Sequence, residues 1–182
     1  TFNAYLATLS RDASTFSKYC PLGGTRGRGE DQCGMTINCC VANGPRGFVA
    51  IAGSVLMADG EDVMVNLYHA STAAIIIPAS GRRVAIGQET DYPKENRVNL
   101  RVTPDQEAAF ALKLRIPAWS TGTKVAVNGA EVPYARAGEY LALRRTWKPG
   151  DTVSMTFDFR GRMESKNEHF AFFRGPVLLA RD

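Results

Sequence analysis

The sequence predicts a mainly β chain: an antiparallel β-sandwich preceded by a short helical segment. Three observations carry this. From residue 61 onward, short apolar runs alternate with turns rich in Gly, Pro and Asn, at the spacing of an antiparallel sandwich. No helical period of useful length lies beyond Ala58. Just before that point, apolar residues recur at helical steps.

Residues 1 to 34 hold little periodicity and end in the loop Gly23-Gly24-Thr25-Arg26-Gly27-Arg28-Gly29. This loop lacks the Gly-Lys-Ser/Thr ending of a phosphate cradle and reads as a plain loop. Asn43-Gly44-Pro45 then supplies a capping residue and a proline suited to a first helical turn. Phe48, Ile51, Ala52, Val55 and Leu56 follow on one helical face, and Asp59-Gly60 is expected to close the helix. Gly47 and Gly53 weaken it and point to close packing against a neighbour.

The expected strands begin at Val63–Tyr68 and continue with Ala73–Ile77, ended by Pro78. Arg82–Gln88 follows a Ser80-Gly81 turn, and Val98–Val102 alternates. In Ala108–Ile116, Phe110, Leu112, Leu114 and Ile116 share one face while Lys113 and Arg115 share the other. Lys124–Val127, Asn128-Gly129 and Glu131-Val132 form the strongest hairpin signal in the chain. Tyr140–Leu143 comes next, then a Lys148-Pro149-Gly150-Asp151 turn. Val153, Met155, Phe157 and Phe159 alternate again, and Phe170–Phe173 and Val177–Ala180 flank Arg174-Gly175-Pro176. About ten strands result.

Composition excludes several classes. The 182 residues are 45% hydrophobic and 22% charged, so the chain can build a core and is not disordered throughout. Its net charge of +4 is too mild for a nucleic-acid footprint, and no aromatic set accompanies Arg26 and Arg28. The longest apolar run, Ala73–Pro78, is far too short to cross a bilayer. Neither nucleic acid nor membrane is therefore an expected partner. The absent initiator Met fits either a removed signal peptide or an internal piece of a longer chain, and the last strand-like run, stopping at Arg181-Asp182, favours the fragment.

Chemistry concentrates near the start. Cys20, Cys33, Cys39 and Cys40 lie in the first quarter of the chain, and this clustering favours site chemistry over a disulfide framework. Asn38-Cys39-Cys40 sits just ahead of the expected helix, where unpaired N–H groups and the helix dipole favour thiolate. Arg46 would add to that field. Thiolate is both the nucleophilic and the zinc-binding form of cysteine. The competing reading is a pair of buried thiols acting as small apolar residues. Cys33, Cys39 and Cys40 offer three sulfurs, with Glu30, Asp31 or His69 as a fourth donor, but the spacing matches no zinc finger. An incomplete site with partners elsewhere fits better. His69 and His169 lack a nucleophile-elbow serine and read as turn or surface histidines. Glu30-Asp31, being adjacent, point apart and read as loop solvation, not as a glycosidase pair. Trp119 and Trp147 suit either a sugar-stacking platform or core packing, the commoner role of tryptophan in a sandwich.

Taken together, several segments resemble one family. Ile37-Asn38-Cys39-Cys40-Val41-Ala42-Asn43-Gly44-Pro45-Arg46 resembles the double-cysteine signature of the β-L-arabinofuranosidases of glycoside hydrolase family 127 and their relatives. Val65-Asn66-Leu67-Tyr68, Leu114-Arg115-Ile116-Pro117-Ala118-Trp119, Val127-Asn128-Gly129, the Tyr140–Asp151 stretch and Arg174-Gly175-Pro176-Val177 resemble later landmarks in the same order. The likeness covers roughly residues 30 to 182.

The resemblance implies a retaining exo-glycosidase with an (α/α)6 catalytic barrel followed by β-sandwich domains. It implies that residues 1–58 are the end of the barrel and residues 59–182 the sandwich. Cys39 would be nucleophile and zinc ligand, and Cys40 a zinc ligand. The family's other zinc ligands, a Glu-x-Cys pair, and its acid/base Glu lie well upstream. Asp31-Gln32-Cys33 mimics that pair but stands too near Cys39 to be it. This chain alone is therefore expected to be inactive, with its zinc site incomplete and the barrel as its missing partner. The implied bacterial enzyme removes L-arabinofuranose or a related sugar from plant-type glycans in the periplasm or outside the cell, or acts in the cytosol on imported oligosaccharides. Rival readings are a non-catalytic carbohydrate-binding or barrel-supporting module, and a redox or zinc-storage protein using the four thiols.

Overall fold

A computed structural model describes residues 47, 49–166 and 168–179. The chain divides into two compact units, Thr1–Gly53 and Ser54–Asp182. Of the first, the described residues are helical, and the helix runs on to residue 54. The second is a β structure.

Its strands are β1 (Leu56–Asp59), β2 (Asp62–Val65), β3 (Ser71–Ile76), β4 (Arg83–Glu89), β5 (Arg97–Pro104), β6 (Ala108–Arg115) and β7 (Lys124–Val127). They continue with β8 (Ala130–Val132), β9 (Tyr140–Trp147), β10 (Asp151–Thr156), β11 (Gly161–Lys166), β12 (His169–Arg174) and β13 (Val177–Leu179). One sheet has the order β1-β2-β6-β9, a second β3-β4-β5-β10-β7-β8, and a third β11-β12-β13. Every pairing is antiparallel except β2 with β6, where Val63 lies beside Leu112 and Val65 beside Leu114. The antiparallel expectation holds for every other pairing. The parallel pair arises because β3, β4 and β5 are built into the other sheet before the chain returns as β6.

Alternation explains which side chains go inward. In β5, Val98, Leu100 and Val102 are buried while Arg97, Asn99, Arg101 and Thr103 face out. Val63, Val65, Phe110, Leu112, Leu114, Leu143 and Trp147 come from the four-stranded sheet. Val84, Ile86, Val98, Leu100, Val102, Val125, Val127, Val153 and Met155 come from the six-stranded one, and all join a single core cluster. Each fully buried aliphatic side chain contributes about 1.5–3 kcal/mol through lost apolar hydration. The Asn128-Gly129 hairpin forms as expected: φ of 51° and 83° gives both central residues the left-handed conformation that a two-residue turn demands.

The helix expected to reach Asp59-Gly60 ends earlier. Leu56–Asp59 is instead β1, with Leu56 opposite Val65 and Gly60 turning the chain at φ +60°. Burial of Leu56 in the core overrides the helical spacing that Val55 and Leu56 continue. Strand β11 was also absent from the sequence expectation, because Gly-Arg-Met-Glu-Ser-Lys shows no apolar alternation.

Candidate functional site

The cysteine pair Cys39 and Cys40 lies outside the described residues. So do Cys20, Cys33, Glu30, Asp31, Arg26, Arg28 and Arg46, and the loop of residues 23 to 29. What the structure shows is the framework that follows the pair.

Four groups of Asn66, just past β2, are all engaged. Its N–H donates to the Val55 carbonyl at 3.0 Å, and its Nδ2 donates to the Ser54 carbonyl at 3.2 Å. Its Oδ1 accepts from the Tyr140 hydroxyl at 2.6 Å, and its carbonyl accepts from Arg115 Nε at 2.5 Å. The Tyr68 hydroxyl in turn donates to the Arg115 carbonyl at 2.8 Å. Segments separated by up to 86 positions thus meet on the residue that grips the end of the helix. Burial pushes the Tyr68 phenol well above its ordinary value, so it stays a neutral donor.

From Tyr68 the network continues as stacked aromatics. Tyr68 packs on Phe157 with ring centres 5.1 Å apart, and Phe157 lies 5.9 Å from Trp119. Phe159 joins Trp119 at 5.8 Å and Tyr92 at 6.0 Å. Cations cover this cluster: Arg162 sits over the Trp119 and Phe173 rings, and Arg174 over Phe159. Arg162 Nη1 also donates to the Gly175 carbonyl. The segments 65–68, 114–119, Tyr140 and 174–175 therefore form one connected structural block.

Neither tryptophan is an open sugar platform. Trp147 is fully buried, stacked on Phe110 at 5.9 Å with its Nε1 donating to the Phe110 carbonyl at 3.2 Å. Trp119 is half-buried between Phe157 and Phe159 beneath Arg162, so its ring is already covered. His69 is half-buried in the bend after β2, and its carbonyl accepts from Ser71 Oγ. His169 is exposed at the start of β12, beside a depression of about 340 Å³ also lined by Glu164, Ser165 and Phe170.

On the outer face of the four-stranded sheet, Asp59 lies directly opposite Asp62, a repulsive pairing by itself. Lys113 Nζ resolves it, 2.9 Å from Asp59 and 3.0 Å from Asp62. Burial raises the Asp62 carboxyl, but the Lys113 hydrogen bond, the Ala111 N–H and the Arg144 charge together outweigh it and hold it below the usual carboxylate value. Among the described residues, no group of three or more His, Cys, Asp or Glu side chains is arranged to hold a metal ion. Asn66, Arg115 and Tyr140 carry no catalytic spacing, so the sequence marks them only as members of family-like segments, and nothing in the sequence marks Arg162.

Solved structures of the same form are carbohydrate-cleaving enzymes. A structure described as a glycoside hydrolase matches with a TM-score of 0.72 at 30% identity, over 88% of this chain and 28% of its own. A GH127 β-L-arabinofuranosidase from Geobacillus stearothermophilus matches with a TM-score of 0.68 at 32% identity, over 79% of this chain and 24% of its own. A further GH127 β-arabinofuranosidase matches at 0.69 and 27% identity, over 79% and 26%. The class is that of a glycoside hydrolase β domain. The family model for the β-L-arabinofuranosidase GH127 middle domain matches residues 62–159, and the chain belongs to that family. It spans about a quarter of the length of these solved relatives. No curated protein matches it.

Proposed function

We propose that this chain is part of a retaining exo-glycoside hydrolase that releases L-arabinofuranose or a related sugar from plant-type glycans, with Cys39 as nucleophile. The observation that carries this reading is the middle-domain match over residues 62–159, which follows the Asn38-Cys39-Cys40 segment in the sequence. The Cys39 thiolate attacks the anomeric carbon as the bond to the leaving oxygen breaks, and a carboxylic acid elsewhere in the enzyme protonates that oxygen. Water, deprotonated by the same carboxylate, then displaces the sulfur, so configuration is retained.

Adjacent thiols are a soft donor pair of the kind zinc takes, and Cys39 and Cys40 are the residues that would hold it. Bound zinc would supply one thing: a sulfur kept anionic near neutral pH. The further donors are proposed to come from outside the described sandwich, which offers no metal cluster of its own. The reading places the enzyme in the periplasm or outside the cell, with cytosolic action on imported oligosaccharides as the alternative. Metal analysis and Cys39→Ser in the full-length enzyme test the reading. About one zinc per chain and a loss of activity of at least about 10³-fold are expected, since a covalent nucleophile is being removed. Full activity in Cys39→Ser would end it.

A further inference from the structure

The sheet β11-β12-β13 presents more apolar surface than it covers. Phe170-Ala171-Phe172-Phe173 in β12 and Val177-Leu178-Leu179 in β13 are unbroken apolar runs, the pattern of strands packed on both faces. One face is partly seated: Phe173 is half-buried beneath Arg162, which also covers Trp119. On the other face the register sets Met163, Phe172 and Leu179 side by side across all three strands, with Phe170 two residues before Phe172. These four side chains are 51–64% exposed. A contiguous apolar patch of this kind marks a contact surface, and three short strands cannot cover two faces by themselves.

Two observations identify the occupant. The middle-domain match ends at residue 159 and β11 begins at Gly161, so this sheet stands outside the matched domain, and the chain spans only about a quarter of the solved relatives' length. In addition, β13 is both the last of the three strands in chain order and an edge of their sheet, and among the described residues it pairs with β12 alone. That edge carries no charge and no proline, the devices that keep a free edge unpaired. Consecutive strands usually lie side by side, so a later strand of the polypeptide fits there. We infer that the face of Met163, Phe170, Phe172 and Leu179, with the β13 edge, is an intramolecular docking surface for a later β segment of the full-length polypeptide. That segment adds a strand to β13 and lays apolar side chains over the four exposed ones. At the Leu179 end of the face, a depression of about 220 Å³ lined by Pro93, Lys94, Arg174, Val177 and Leu179 receives one of them. The sheet is thus the opening of a second β layer. This assignment stands on the packing and the family match, independently of Cys39.

The test uses the full-length enzyme. The photoreactive p-benzoylphenylalanine replaces Phe172 in one preparation and Phe170 in another, and crosslinked peptides are identified by mass spectrometry after irradiation. Crosslinks to residues later in the same polypeptide are expected. Crosslinks to residues before β11, a covalent dimer of two copies, or no crosslink at all each overturn the assignment. A second measurement needs no substitution: Met163 is oxidised by dilute hydrogen peroxide beside a free methionine peptide in the same tube. A covered Met163 is expected to react at least about tenfold more slowly than the peptide. A rate close to that of the peptide shows an open face and overturns the assignment, whether or not the substituted enzymes fold. The outcome for Cys39→Ser changes neither result, so the nucleophile reading and the docking surface fail separately.

Discussion

Gly175 offers a sharp test of how the third sheet is seated. A Cβ built on it would stand 2.6, 2.7 and 2.9 Å from three ring carbons of Phe159, and its φ is +55°. Two effects therefore oppose Gly175→Ala. Left-handed backbone costs a non-glycine residue about 1–2 kcal/mol. Forcing a methyl into a packed ring costs about 1–3 kcal/mol more. The ring has little freedom to yield, since Trp119, Tyr92 and the Arg174 guanidinium lie within 5.8 to 6.0 Å of it. The sum is about 2–5 kcal/mol. Gly60→Ala isolates the backbone part, because Gly60 has φ +60° and nothing within 4 Å of its Cβ position. Urea denaturation followed by tryptophan fluorescence measures both. The Gly175 variant should lose about 1–3 kcal/mol more than the Gly60 variant. Phe159→Leu should erase most of that difference when combined with it. Equal losses in the two glycine variants would show that Gly175 and Phe159 are not in contact, and the account of the aromatic block would fall with it.

Two further outcomes follow from the same structure. Trp147→Ala empties a fully buried site and abandons the hydrogen bond to the Phe110 carbonyl, so a loss of about 3–5 kcal/mol is expected in the same denaturation assay. Asp62 governs part of the acid sensitivity. Its folded value is held below the unfolded one, so its contribution is present above about pH 3.9 and is lost as pH falls through the lower folded value. The stability gap between wild type and Asp62→Asn should be widest near neutrality and close on acidification. Asp158, held down to about 2 by Arg160, titrates in both proteins and drops out of the difference. A gap independent of pH between 2 and 6 would contradict the ion cluster.

Where side-chain alternation is strong, the sequence is a good guide. Phe110, Leu112 and Leu114 in β6, and Val98, Leu100 and Val102 in β5, declare their inner faces, and Asn128-Gly129 declares its turn. Features set by distant partners are not legible in this way. Leu56–Asp59 continues a helical spacing, and only Val65 across the sheet makes it a strand. Gly161–Lys166 is a strand because Phe172 and its neighbours in β12 pair with it, not because of its own pattern. Trp147 looks like a candidate for sugar stacking until Phe110 is seen beneath it. The reading of the cysteine pair rests on local chemistry and family likeness, whereas the polar partners of Asn66 come from the end of the helix, the residue before β1, and strands β6 and β9.

The parallel pairing of β2 with β6 also bears on how the chain matures. Val63 lies beside Leu112, which leaves the ribosome 49 residues later. At about 5–20 residues per second that delay is on the order of 2–10 s. For this interval the first hairpin presents Val63 and Val65 uncovered, and three later strands must join the other sheet before their neighbour arrives. Late closure of the four-stranded sheet is thus built into the strand order itself.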